Sequence, residues 1–168
     1  AYTGNYALKL ATRPQTGAQN VVIKRATFHR WTEIQFEALF AFKPEASSKG
    51  LLDKAVRSVG FLFDLQNETY RLMPHVRYLN AFDGKRIDTW QFKDEAVPIE
   101  RLSDDTVTHY HLAESGWKNI CEERQILCYN EIPTKINWQK VKLGFDIVSG
   151  RFTHFSCNDI QYDVSAIK

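Results

Sequence analysis

The chain has 168 residues, with 22 Lys and Arg against 20 Asp and Glu, for a formal net charge of +2. Its basic residues are scattered rather than gathered into a stripe, so nucleic acid is not an expected partner. No apolar run approaches the ~18 residues of a membrane-spanning helix, so membrane insertion is not expected either.

Eleven Phe, seven Tyr and four Trp against eight Gly and five Pro describe a chain that folds around a core. The length predicts one domain over residues 1–168. No secretory leader is visible. A chain that opens on Ala1 instead of Met predicts a processed or trimmed terminus, or a piece cut from a longer protein.

Taken in chain order, Tyr6 to Leu10 reads as a short strand and Pro14 to Gly17 as a turn. Val21 to Lys24 reads as a second strand. Thr32 to Phe42 is the longest alternating run, with Ile34, Phe36, Ala38, Phe40 and Phe42 on one face and Glu33, Gln35 and Glu37 on the other. Lys43-Pro44 ends it, because proline has no N–H to give a ladder.

Pro44 to Val56 reads as a loop with one helical turn around Leu51 and Leu52. Val59 to Leu65 reads as an apolar strand. His75 to Phe82 and Arg86 to Phe92, joined by Asp83-Gly84, read as a hairpin, since Asp-Gly supplies the positive φ angles of a tight turn. Pro98 to Glu123 is polar and mixed, with one strand. Gln125 to Glu131 reads as another strand.

Trp138 to Asp146 alternates Val141, Leu143 and Phe145 with Lys140, Lys142 and Asp146. A Ser149-Gly150 turn leads into Arg151 to Cys157, and Ile160 to Val164 is the last strand. The chain stops soon after it, which predicts that a further closing strand has been lost. About ten strands with turn signals between them predict an all-β, antiparallel two-sheet β-sandwich or barrel.

Cys121, Cys128 and Cys157 are an odd set without a CxxC pair. Three reduced thiols are expected; a short Cys121–Cys128 disulfide is the alternative, and structural zinc is not expected.

Three segments carry a family resemblance. Gly4-Asn5-Tyr6-Ala7-Leu8-Lys9-Leu10, Phe36 to Pro44, and Trp138-x-x-Val141-x-Leu143-x-Phe145-Asp146 with Gly150-Arg151-Phe152 occur in order along the chain. Together they resemble the concanavalin A-like lectin and glucanase superfamily, including its laminin-G-like members, and look like a bacterial branch of it. The resemblance implies a concanavalin A-like jelly roll. One sheet would be concave and carry carbohydrate, calcium would be a possible cofactor, and an extracellular or cell-surface setting is implied.

The catalytic candidates are Glu33 and Glu37. Glycoside hydrolases of the family-16-like type in this superfamily use a Glu-x-Asp-x-Glu strand, and retaining chemistry needs carboxyl groups about 5–5.5 Å apart. Residues i and i+4 on a strand are about 13 Å apart along the backbone, so the side chains must lean together. Gln35 stands where that pattern has Asp and cannot hold a charge. The alternative is a solvated sheet face.

Trp90, Trp117 and Tyr78 are candidates for stacking on sugar rings, with Arg77, Asn80 and Asp88 as readers of hydroxyls. Core packing and ordinary cross-strand pairing compete with that role. Trp138 opens a core-patterned strand and reads as structural. Asp146, Asn158 and Asp159 are candidate calcium ligands, although Asn-Asp after a strand is first a turn signal. His109 and His111 would share a strand face but lack a supporting ligand. No Ser-His-Asp arrangement, P-loop or dinucleotide fingerprint is present.

The expected function is non-catalytic binding of an oligo- or polysaccharide. The alternatives are a glycoside hydrolase using Glu33 and Glu37, and a protein-interaction sandwich without a sugar site.

Overall fold

A computed structural model describes residues 4, 6–13, 15, 17–24, 32–44, 53–66, 70–93, 96–98, 114–130, 132 and 134–167. The chain forms two compact units, residues 1–31 and residues 32–168. In the first, Tyr6 to Leu10 and Val21 to Lys24 form no strands, in contrast to expectation. Near the expected Pro14 to Gly17 turn, of which residues 14 and 16 lie outside the described ones, the Ala18 N–H donates to the Gln15 carbonyl at 3.1 Å.

The second unit is all-β, and no helix occurs among the described residues. Its strands are β1 (Glu33–Phe40), β2 (Ser58–Leu62), β3 (Leu65–Gln66), β4 (Tyr70–Leu72), β5 (His75–Phe82), β6 (Lys85–Lys93), β7 (Ala96–Pro98), β8 (Lys118–Asn119), β9 (Gln139–Asp146), β10 (Arg151–Cys157) and β11 (Ile160–Tyr162). Two four-stranded antiparallel sheets run in the orders β1-β9-β10-β11 and β2-β5-β6-β8, and β3-β4-β7 make a small third sheet. The small sheet was not anticipated, its strands being too short to show a period. Of Gln125 to Glu131, expected as a strand, the described residues Gln125 to Asn130 pair in no ladder. The loop expected around Leu51 and Leu52 and most of the 98–123 stretch, with His109 and His111, lie outside the described residues.

The first sheet follows from alternation. Val141, Leu143 and Phe145 of β9 are buried, and β1 sets Ala38, Phe36 and Ile34 opposite them. In β10 the inward residues Phe152 and Phe155 are three apart, which a period of two cannot place on one face. A bulge at Thr153 resolves this: Phe152 pairs with Phe145, and His154 then pairs with Gly144.

The second sheet repeats the device. The β5–β6 hairpin turns through Asp83 and Gly84, with φ +48° and +69°. Its register slips between Leu79/Thr89 and Ala81/Arg86, where Asp88 takes φ +56°.

The two sheets share one core. Trp90 meets Phe155 edge-on at 5.0 Å and Phe40 at 6.5 Å, and Phe92 meets Phe152 at 6.3 Å. Such pairs add about 0.5–1.5 kcal/mol each beyond the area they bury. All three cysteines are free thiols.

Candidate functional site

The β5–β6 hairpin has two faces, and the candidate residues divide between them. Val76, Tyr78 and Asn80 of β5 and Trp90 of β6 face the core, with Tyr78 and Asn80 fully enclosed and Trp90 only 1% exposed. The bulge turns Asp88 inward to the same depth. Tyr78, Trp90, Asn80 and Asp88 are therefore not a sugar-stacking surface, and that expectation is corrected. The register and the Phe155 and Phe40 rings put the Trp90 indole between the sheets.

These four residues hold a buried polar network instead. The Tyr78 hydroxyl lies 3.0 Å from both Asp88 Oδ1 and the Gln125 carbonyl, with one proton to share between them, and accepts the Leu127 N–H. Arg86 donates to Asp88 Oδ1 through Nε at 2.9 Å, with a second contact from Nη2, and Arg124 Nη2 reaches Oδ2 at 2.6 Å. Burial raises the Asp88 pKa. The donated hydrogen bonds of Arg86, Arg124 and Tyr78 outweigh it and hold the carboxyl below its ordinary value. Burial pushes the Tyr78 pKa up, so its hydroxyl stays protonated.

Gln125 Oε1 accepts from Trp90 Nε1 and the Tyr162 hydroxyl, each at 2.7 Å, while its Nε2 donates to the Cys157 carbonyl at 3.1 Å. Asn80 Nδ2 donates to the carbonyls of Asp53 and Val56. The bonds of Tyr78, Asp88, Trp90 and Gln125 tie β5, β6 and the 124–127 segment together, while the buried Asn80 Oδ1 has no hydrogen-bond partner.

The opposite face carries the candidate site. Gly60, Arg77, Gln91 and Asn119 stand in one row across β2, β5, β6 and β8. Arg77 Nε donates to Gln91 Oε1 at 2.9 Å, and Gln91 Nε2 donates to Asn119 Oδ1 at 3.0 Å. The Arg77 guanidinium carbon lies 4.1 Å from the centroid of the half-buried Trp117 ring, and Lys93 Nζ lies 4.9 Å from it. Arg77 and Lys93 are themselves buried.

Glu114, just before the Ser115-Gly116 turn, accepts from Arg57 Nη2 at 2.8 Å and lies 3.5 Å from Arg77 Nη1. Burial lowers the Arg77 pKa, Arg57 lowers it further, and Glu114 opposes both. Lys93 is lowered by burial and by the charge of Arg77.

The outer face of the first sheet is charged and exposed. Glu33 accepts from Thr153 Oγ1 at 2.9 Å. Glu37 pairs with Lys140 at 2.9 Å and Lys142 at 3.5 Å, and the hydrogen bond from Lys140 holds its carboxyl below the usual range. Beside β10 lies an open depression of about 770 Å³, lined by Arg151, Thr153, His154, Gln161 and Asp163. It gathers none of the sequence-chosen residues.

The calcium candidates do not converge. Asp146 accepts from Val148 N–H at 2.8 Å and Ser149 Oγ at 2.8 Å in the turn after β9. Asn158 Oδ1 accepts the Lys140 N–H at 2.9 Å, at the other end of that strand. A strand rises about 3.3 Å per residue, so Asp146 and the Asn158-Asp159 pair stand a strand length apart and cannot share one ion.

Of the six sequence-chosen ligand residues, the fold brings Arg77 and Trp117 together. Missed were Arg57, Gln91, Lys93, Glu114 and Asn119. A signal for two of them was present: Thr89, Gln91 and Lys93 alternate with Trp90 and Phe92, and that pattern marks an outward polar row.

The whole chain, residues 1–168, matches the family described as Domain of unknown function (DUF6772), and the protein belongs to it. No curated protein and no solved structure matches the chain.

Proposed function

We propose that this domain is a non-catalytic carbohydrate-binding module of the concanavalin A-like type, and that its oligosaccharide ligand sits at the accessible end of the Arg77–Gln91–Asn119 row. The observation that carries this reading is the Trp117 ring, half-exposed and held in place by Arg77. It lies close to a side-chain amide pair that presents both donors and acceptors. An aromatic ring offers apolar surface to a sugar's C–H face, and amides read its hydroxyls. The two antiparallel sheets and the resemblance of the Phe36 to Pro44 and Trp138 to Phe152 segments support the concanavalin A-like assignment.

The hydrolase alternative is weaker. A general acid needs a raised pKa, whereas Lys140 and Lys142 keep Glu37 ionised.

The test is a glycan array probed with the purified domain, with and without calcium. A defined set of glycans should bind in both conditions, and Trp117→Ala should cut binding about tenfold or more, equivalent to ~1.4 kcal/mol. A blank array in both conditions would sink the reading and leave a protein-interaction sandwich.

A further inference from the structure

Arg57 and Arg77 converge on a single carboxylate oxygen, Glu114 Oε2, at 2.8 and 3.5 Å. The three partners are unequally held. The Arg77 side chain is 11% exposed and is fixed by Gln91 and by the Trp117 ring, while the Glu114 side chain is 57% exposed on the edge of a turn. The cation is thus the built part of this contact and the anion is the loose part. An exposed carboxylate gains little from its ion pair in water. A buried, pre-oriented guanidinium is a strong receptor for a planar carboxylate or a sulfate, because its fork matches their oxygens and little entropy is left to lose.

Among the described residues, two guanidinium groups share this one carboxylate. The direction of the Arg77 shift agrees, since burial and the neighbouring Arg57 both disfavour its charge. A second anion, or a better-placed one, favours the charged form of Arg77 as Glu114 does. The neighbouring groups argue for a sugar as its carrier: Gln91 and Asn119 present amides for hydroxyls, and Trp117 presents an aromatic ring.

We infer that Glu114 is an internal stand-in for an anionic group of the ligand, and that the saccharide bound here is acidic, its carboxylate or sulfate displacing Glu114 from Arg57 and Arg77. This inference rests on the carbohydrate reading above and adds to it the class of sugar.

The test uses titration calorimetry on the whole chain with three probes: tetragalacturonate, its carboxyl-reduced form, and a sulfated carrageenan tetrasaccharide. At least one acidic probe should bind about tenfold or more tighter than the neutral one. The acidic probe that binds identifies carboxylate or sulfate as the recognised group. Glu114→Gln should tighten acidic binding several-fold, while Arg57→Gln should weaken it. Both positions are exposed, and circular dichroism checks that the variants fold.

Neutral binding equal to or tighter than acidic binding would overturn the inference while keeping the carbohydrate reading. An unchanged affinity in Glu114→Gln would overturn the stand-in role. No binding of either acidic probe would also overturn the inference, and a blank glycan array beside it would bring down the carbohydrate reading as well.

Discussion

Asp88 lies 3.0 Å from the Tyr78 hydroxyl between the two sheets, with Arg86 and Arg124 on its carboxylate. It is a charged residue at φ +56° in the middle of a strand pair, 1% exposed. A buried carboxylate is tolerated only when paired and hydrogen-bonded. Here the β-bulge supplies the position and the two arginines supply the charge. The bulge is therefore fixed by chemistry as well as by backbone geometry.

Asp88→Asn keeps the left-handed backbone, which Asn also accepts, but removes the carboxylate that Arg86 and Arg124 share and leaves Arg86 with Asp53 at 3.4 Å. The expected loss is about 3 kcal/mol, read from urea unfolding by tryptophan fluorescence. The folded-state pKa of Asp88 is below its unfolded value of about 3.9, so its contribution is complete above about pH 4 and is lost as pH falls through the lower folded value. Wild type should thus lose more stability than Asp88→Asn on acidification through that range. Equal slopes would remove Asp88 from the account.

Gly144 faces the β10 bulge with no room for a side chain. A Cβ there would stand 2.5 Å from Thr153 Oγ1 and 3.3 Å from the His154 backbone nitrogen. The hydroxyl can rotate away, but the backbone of a paired strand cannot. Gly144→Ala is expected to destabilise by about 1–3 kcal/mol. A thermal melt matching wild type would show that the bulge is softer than its register implies.

The thiols should differ sharply in reactivity. Burial pushes the Cys157 thiol up to about 12, whereas Cys128 is exposed. Thiolate is the reactive form. Iodoacetamide at pH 8 should therefore label Cys128 in the native protein and spare Cys157, with both labelled in denaturant. Peptide mass spectrometry reads the sites. Native labelling of Cys157 would mean that the β9–β10–β11 core opens on the labelling timescale.

Glu33→Gln and Glu37→Gln should leave glycan binding within about twofold of wild type, since both carboxylates lie on the first sheet and the proposed site lies on the second. Neither wild type nor variant should release reducing ends from bound glycans. Hydrolysis abolished by Glu33→Gln would reinstate the enzyme.

Alternation and turn chemistry are local, and where they were strong they placed elements well. The Asp83-Gly84 hairpin, the β1 run and the β9–β10 pair formed close to their expected bounds. Gln125 to Asn130 carries the same apolar pattern, but its backbone is used otherwise, with the Gln125 N–H donating to the Asp88 carbonyl at 2.9 Å. The β10 bulge was half visible, because Phe152 and Phe155 cannot share a strand face without it.

What the sequence determined by itself is the all-β class and the two-residue rhythm that sorts each strand into an inner and an outer face. That follows from the geometry of one extended chain. Which face of β5 and β6 meets the other sheet was decided only in three dimensions. Trp90 and Tyr78 could fill the core because Gln125, far along the chain, accepts the indole N–H and lies within hydrogen-bond reach of the Tyr78 hydroxyl. Asp88 could follow because Arg124 and Arg86 converge on it. The polarity of a single residue does not reveal whether a distant partner will satisfy it, and such partners let Trp90, Tyr78 and Asp88 move from the expected binding surface into the core.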